Sequence, residues 1–204
     1  ALATGKFQAV FGTMSSSINY FRNGLIDLKS LWPAMLLSML ASACGTLFVL
    51  KLGNNVLENM LPYFLIGISL FTWFSPGISD VKTAPSIPNK FFRGSVGALI
   101  GFYGGFFGPG VGAIAVLCFS ALLGQQLRSA TAQSKPVVLI ANTVSVLIFL
   151  IDGNVLFTIG IAMALAQIAG AYFGSNLAMH RGAAIIRPIL VVTTIGIAIK
   201  LLID

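Results

Sequence analysis

Long apolar runs separated by short polar breaks dominate this chain. Ser30–Leu50, Val56–Phe74, Val137–Ile151 and Val155–Met179 are predominantly apolar, with charges gathered between them or near their ends. A bilayer core about 30 Å thick asks for about 20 helical residues. The runs approach that length, some of them with flanking polar residues. The pattern predicts an all-α, polytopic transmembrane helical protein.

A different pattern occupies Gly94–Gly124. Gly97, Gly101 and Gly105 recur every fourth residue, a spacing that lets a neighbouring helix come close. The run Gly104-Gly105-Phe106-Phe107-Gly108-Pro109-Gly110-Val111-Gly112 then departs from regular helix. Glycine is entropically costly in a helix, and Pro109 lacks a donor and clashes with the preceding turn. Non-helical backbone at membrane depth persists only where protein buries it or a watery cavity receives it. The break is therefore the first candidate for a ligand site; the competing reading is a proline kink that serves packing alone. If the helix restarts near Val111, the backbone N–H groups of Gly110, Val111 and Gly112 beside Gly108 would face an anion, favoured by the positive end of the helix dipole.

The chain also repeats itself. A shift of 129 positions lays residues 1–75 on 130–204 without a gap. Lys6 meets Lys135, Ser16 meets Ser145, Gly24 meets Gly153, Gly45 meets Gly174 and Gly67 meets Gly196. The expected organisation is a first repeat over 1–75, a basic linker over 76–93, and a second repeat over 94–204 that contains the broken segment 94–124. A first-half counterpart of Gly94–Ser129 would lie before Ala1, so at least 35 upstream residues are expected.

Charge distinguishes two topologies. If Gly94–Gly124 crosses once, the twelve Lys and Arg residues divide six to six between the two sides. If it is re-entrant, Arg22, Lys29, Lys82, Lys90, Arg93, Arg128, Lys135, Arg181 and Arg187 share one side, against Lys6, Lys51 and Lys200. Only the second division satisfies the positive-inside bias, which favours inverted repeats.

Composition agrees with a lipid environment: 57% of the 204 residues are hydrophobic and 8% charged, against about 25% charged in ordinary soluble domains. The net charge of +7 comes from scattered loop positions and not from a basic helix face, so no nucleic-acid partner is expected. Cys44 and Cys118 lie in apolar stretches without a Cys/His cluster, so neither a metal nor a disulfide is expected. There is no HExxH, no GxSxG and a single histidine, His180, so no enzyme chemistry and no cofactor are expected. The carboxylates Asp27, Asp80, Asp152 and Asp204 fall in loops or at the end, and Glu58 close to a helix start, which argues against a buried acidic proton relay.

The stretch from Gly101 to Gly112 resembles the TauE/SafE family, also called the sulfite exporter or toluene sulfonate uptake permease family. Ala1-Leu2-Ala3-Thr4-Gly5-Lys6 and Ala130-Thr131-Ala132-Gln133-Ser134-Lys135 are similar to its paired lysine motifs, with Gly5 in place of the common Asn. The resemblance implies a multi-pass transporter of the bacterial inner membrane. Its expected partners are the lipid bilayer and a small anionic substrate such as sulfite, a sulfonate or a related sulfur-containing anion. The alternatives are a channel-like anion facilitator or a non-transporting scaffold. Lys6 and Lys135 either face one pathway from opposite halves or extend to an interface. Gln8, Gln133, Ser134 and Asn142 either line that path or join helices by hydrogen bonds.

Overall fold

The computed structural model describes residues 2–52, 84–153 and 155–181, with the isolated positions 67, 192 and 196. The predicted run Val56–Phe74, apart from Gly67, and the charged positions Glu58, Asp80, Lys82, Arg187, Lys200 and Asp204 lie outside these residues. The described chain folds into helices α1 (Leu2–Arg22), α2 (Leu28–Lys51), α3 (Asn89–Phe106), α4 (Val111–Leu117), α5 (Leu127–Ile151) and α6 (Phe157–Arg181). A π-helical turn, Cys118–Leu122, prolongs α4. Helices α2, α5 and α6 are long and apolar enough to cross a membrane. Helix α1 has the length but carries Lys6, Ser16, Ser17 and Asn19, all buried. Its polar face is turned inward.

Two turns have the same construction. Gly24 ends α1 with φ +69° and Gly153 ends α5 with φ +74°. Each is a left-handed C-terminal stop, where glycine meets no Cβ penalty. Leu25 N–H reaches back to Tyr20 O (3.1 Å), closing the first turn, and the Asp27 side chain then accepts from Ser30 N–H (3.3 Å) to open α2.

Close approaches fix the helix directions. A Cβ on Gly97 would lie 2.6 Å from Ala34 O, one on Gly101 2.5 Å from Ser38 Cα, and one on Gly105 2.8 Å from Ser42 Cα. The two sequences advance together, so α2 and α3 run parallel with their backbones nearly touching. On another side of α2, Ser38 Oγ donates to Val137 O (3.1 Å), Ser42 Oγ to Ala141 O (2.6 Å), and Thr46 Oγ1 lies 2.8 Å from Ser145 Oγ. Helix α5 therefore runs the same way. Helices α1 and α6 also run parallel to each other, since Gly160 meets Phe7 while Asn19 Nδ2 donates to Ser175 Oγ (2.7 Å). Helix α1 opposes α5: Lys6 meets Ser145 at one end, and Tyr20 shares a core with Leu127 and Ala130 at the other.

The broken segment enters and leaves at one end of the bundle. Ser86 N–H donates to Leu122 O (2.9 Å), and the Phe92 and Phe119 rings meet edge to face at 4.8 Å. The descending α3 and the returning α4 thus form a hairpin. Helix α3 begins at Asn89, ahead of Gly94, because the residue after Pro88 already has helical geometry. Lys90 and Arg93 accordingly sit in its first turns. Arg22, Lys29, Arg128 and Arg181 stand at helix ends on this same side, and Lys51 at the opposite one.

Candidate functional site

Helix α3 stops at Phe106 and α4 starts at Val111, so the interruption predicted at Gly108-Pro109-Gly110 is present. Its level can be placed against α2. Gly105 abuts Ser42, fourteen residues into α2, about 21 Å along a helix about 36 Å long. The break is inside the bundle.

Backbone conformation accounts for the local path. Gly108 has φ +90° and Gly110 φ +76°, values that suit only glycine at low cost. The N–H groups of Phe107 and Gly108 both return to Tyr103 O (2.8 and 3.1 Å), which closes α3. Tyr103 Oη–H donates to Pro109 O (2.6 Å) and holds the loop from the side. On the restarting side, Val111 N–H turns back to Gly108 O (3.1 Å). A Cβ on Gly112 would meet nothing within 4 Å, so there is open space beside that position.

Lys6 supplies the charge at this break. Its side chain comes from the second turn of α1 and is 3% exposed. Nζ donates to Gly104 O, to Gly105 O and to Ser145 Oγ (2.9 Å), and stands 5.8 Å from the Phe149 ring centroid. An ammonium has three protons, and here all three have acceptors. A buried charge is tolerable only with such replacement of its hydration. Two acceptors are last-turn carbonyls of α3, where the helix dipole presents its negative end. Lys6 thus meets the carbonyl pole of the break and does not extend to an interface.

The remaining candidates are dispersed. Asn142 is 3% exposed, three residues before Ser145 on α5, and has no hydrogen-bond partner among the described residues. Gln8 is half-buried; being two residues beyond Lys6, it projects from roughly the opposite side of α1. Lys135 and Gln133 precede Ser145 by ten and twelve residues on α5, about 15 and 18 Å along the axis. Gln133 Oε1 accepts from Gln125 Nε2 (3.2 Å) beside a cavity of about 60 Å³ also lined by Ser30 and Phe119. Ser134 Oγ bonds locally to Thr131 O (3.0 Å). Lys6, Gly108 and Asn142 are therefore placed around the break, and Gln133 and Lys135 nearer the basic end.

Ser145, Thr46 and the Gly104 and Gly105 carbonyls escaped the sequence reading. A signal for them exists. Ser38, Ser42 and Thr46 recur every fourth residue in an otherwise apolar helix, the same period as the glycines of α3.

A bundle of apolar helices around an interrupted hairpin is the architecture of a polytopic membrane protein. The family model "Sulfite exporter TauE/SafE" matches residues 1–201, and the chain belongs to that family. It is 38% identical over 203 residues to the "Probable membrane transporter protein ORF9" of Sinorhizobium sp, covering all of this chain and 78% of that protein. It is 33% identical over 204 residues to a "Probable membrane transporter protein" of Haemophilus influenzae, covering 100% and 80%. It is 32% identical over 204 residues to "Probable membrane transporter protein YfcA" of Escherichia coli K12, covering 100% and 76%. No solved structure matches the chain. The protein is a multi-pass membrane transporter, and the bacterial origin of these relatives accords with the cytoplasmic membrane as its location.

Proposed function

We propose that the chain moves a small anion, of the sulfite or sulfonate class, past the interruption in the 94–124 hairpin by exposing that point alternately to either side. The carrying observation is the break itself: α3 ends and α4 begins inside the bundle, with a buried ammonium against the carbonyl pole and open space at Gly112. An anion leaving water needs donors and positive potential to replace its hydration. The amides of Gly110 and Gly112 and the side-chain amide of Asn142 supply donors; Lys6 supplies potential. Because its three protons are occupied, Lys6 acts through charge and not through a direct bond. Val111 N–H, turned back to Gly108, is withdrawn from the ligand unless the turn opens.

Two features support halves of inverted direction. Helices α1 and α5, whose sequences superpose at the 129-residue shift, run antiparallel, and both end in a left-handed glycine. The gathering of Arg22, Lys29, Arg128 and Arg181 at one end supports that end as cytoplasmic. In this arrangement Lys135 is the sequence counterpart of Lys6 in the other half.

The substrate class rests on the name of the family, since the relatives' names specify transport without a solute. The test is uptake into proteoliposomes with sulfite, sulfonates, thiosulfate and sulfate in competition. Saturable flux of one sulfur oxyanion, displaced by its congeners, is expected. Flux of none of them removes the substrate class. Flux that rises without saturation would indicate a channel-like facilitator.

A further inference from the structure

We propose that the Lys6 ammonium fills a latent monovalent-cation site: the chain carries, as a tethered side chain, the positive charge that a free sodium, potassium or ammonium ion could otherwise provide. The observation is the oxygen set around Nζ. Gly104 O, Gly105 O and Ser145 Oγ all accept from it, and Thr46 Oγ1 adjoins both Gly105 O (3.2 Å) and Ser145 Oγ (2.8 Å). Three oxygens accept from Nζ and Thr46 Oγ1 adjoins two of them, so groups from α2, α3 and α5 surround one buried head group. All are neutral carbonyl or hydroxyl oxygens at the negative end of a helix, beside the Phe149 ring face.

The chemistry of this set selects the class of cation. Tight divalent sites use carboxylates to offset the loss of hydration. No carboxylate contributes here, and the described residues contain no cluster of three His, Cys, Asp or Glu. Half-helix carbonyl ends and hydroxyls instead suit a singly charged ion. Ammonium and potassium are close in size to the lysine head group; choline is far larger and fits nowhere in the set. In the native chain the tether keeps the head group in place, so no added cation is required to hold α1, α3 and α5 together. Removing the tether leaves the oxygens converging on a void, with their dipoles uncompensated in a low-dielectric setting. A free cation should then bind.

The cage does not depend on which solute is carried. A failed cation response would leave the anion-transport reading intact, and a failed flux assay would leave the cage intact. The experiment is thermal unfolding of the detergent-purified chain in ammonium, potassium, sodium or choline chloride at matched ionic strength. Wild type is expected to unfold at one temperature in all four salts. Lys6→Ala is expected to be destabilised in choline and rescued by ammonium or potassium, its midpoint rising about 3–6 °C for each tenfold of cation above the dissociation constant. Lys6→Met, whose neutral side chain plugs the same space, should not respond. Adding Ser145→Ala to Lys6→Ala should raise the cation concentration needed about tenfold, the effect of one lost hydrogen-bond-class ligand. The proposal is overturned by equal midpoints for Lys6→Ala in all four salts, by an equal response of Lys6→Met or wild type, or by failure to recover folded Lys6→Ala in any of the salts.

Discussion

Substituting Gly101 by alanine tests the packing that sets the break in place. The new Cβ would lie 2.5 Å from Ser38 Cα, and closer still to the Ser38 carbonyl oxygen. Carbon atoms in contact rest about 3.5–4.0 Å apart, so α2 and α3 must part by about 1 Å. Both obstructing atoms are backbone, and no side chain can rotate away. Overpacking of this kind costs about 1–3 kcal/mol, while exchanging glycine for alanine within a helix returns about 0.5–1 kcal/mol. The clash outweighs that gain, for a net loss of up to about 2.5 kcal/mol. Gly94 provides the control within the same helix, because a Cβ there meets nothing within 4 Å. Gly94→Ala should be neutral or stabilising by up to about 1 kcal/mol. Equilibrium unfolding in mixed micelles, followed by tryptophan fluorescence, compares the two variants directly. If Gly101→Ala proves as stable as Gly94→Ala, the backbone contact between α2 and α3 is not what holds the hairpin.

Three further outcomes are expected. Gly108→Ala places a side chain at φ +90° and a Cβ 3.1 Å from Lys6 Cε; the left-handed geometry alone costs about 1–2 kcal/mol, and both the unfolding midpoint and the initial rate of anion uptake should fall. In a background without Cys44 and Cys118, single cysteines at Gly24 and Ser86 should react with an impermeant thiol reagent from one side of the membrane and a cysteine at Gly153 from the other; labelling of Gly24 and Gly153 from the same side would exclude opposed halves. Lys135→Ala should lower anion flux into proteoliposomes while membrane insertion is retained, and unchanged flux would remove Lys135 from the pathway.

The fold was legible where one physical constraint dominated. Lipid demands apolar helical spans, so α2, α5 and α6 could be read from their side chains alone. Gly108-Pro109-Gly110 announced its own interruption, because no regular helix accommodates that triplet cheaply. The charge count favoured a re-entrant segment over a single crossing, and a hydrogen bond from Ser86 N–H to Leu122 O joins the two ends of that segment. The site was legible only in part. Lys6 could be named as a candidate that either faces a pathway or extends to an interface, but its partners are mostly main-chain carbonyls, which leave no mark in an amino-acid sequence. Gln8 and Gln133 looked equivalent to Lys6 because polar residues on apolar helices look alike in one dimension. Rotation about the α1 axis turns Gln8 away, and the length of α5 carries Gln133 toward the basic end.

The four-residue step shared by Ser38, Ser42 and Thr46 on α2 and by Val137, Ala141 and Ser145 on α5 has a mechanical consequence. All three rungs come into register together, so a slide of half a turn would break them all at once, leaving Thr46 Oγ1 its own-helix acceptor, Ser42 O (2.8 Å). Only a jump of one four-residue step, about 6 Å, re-forms the rungs with new neighbours. Between those positions α2 and α5 behave as a geared pair. Gliding along this seam breaks three hydrogen bonds of about 1 kcal/mol each on the way, which favours rearrangements that carry both helices together or advance by one tooth.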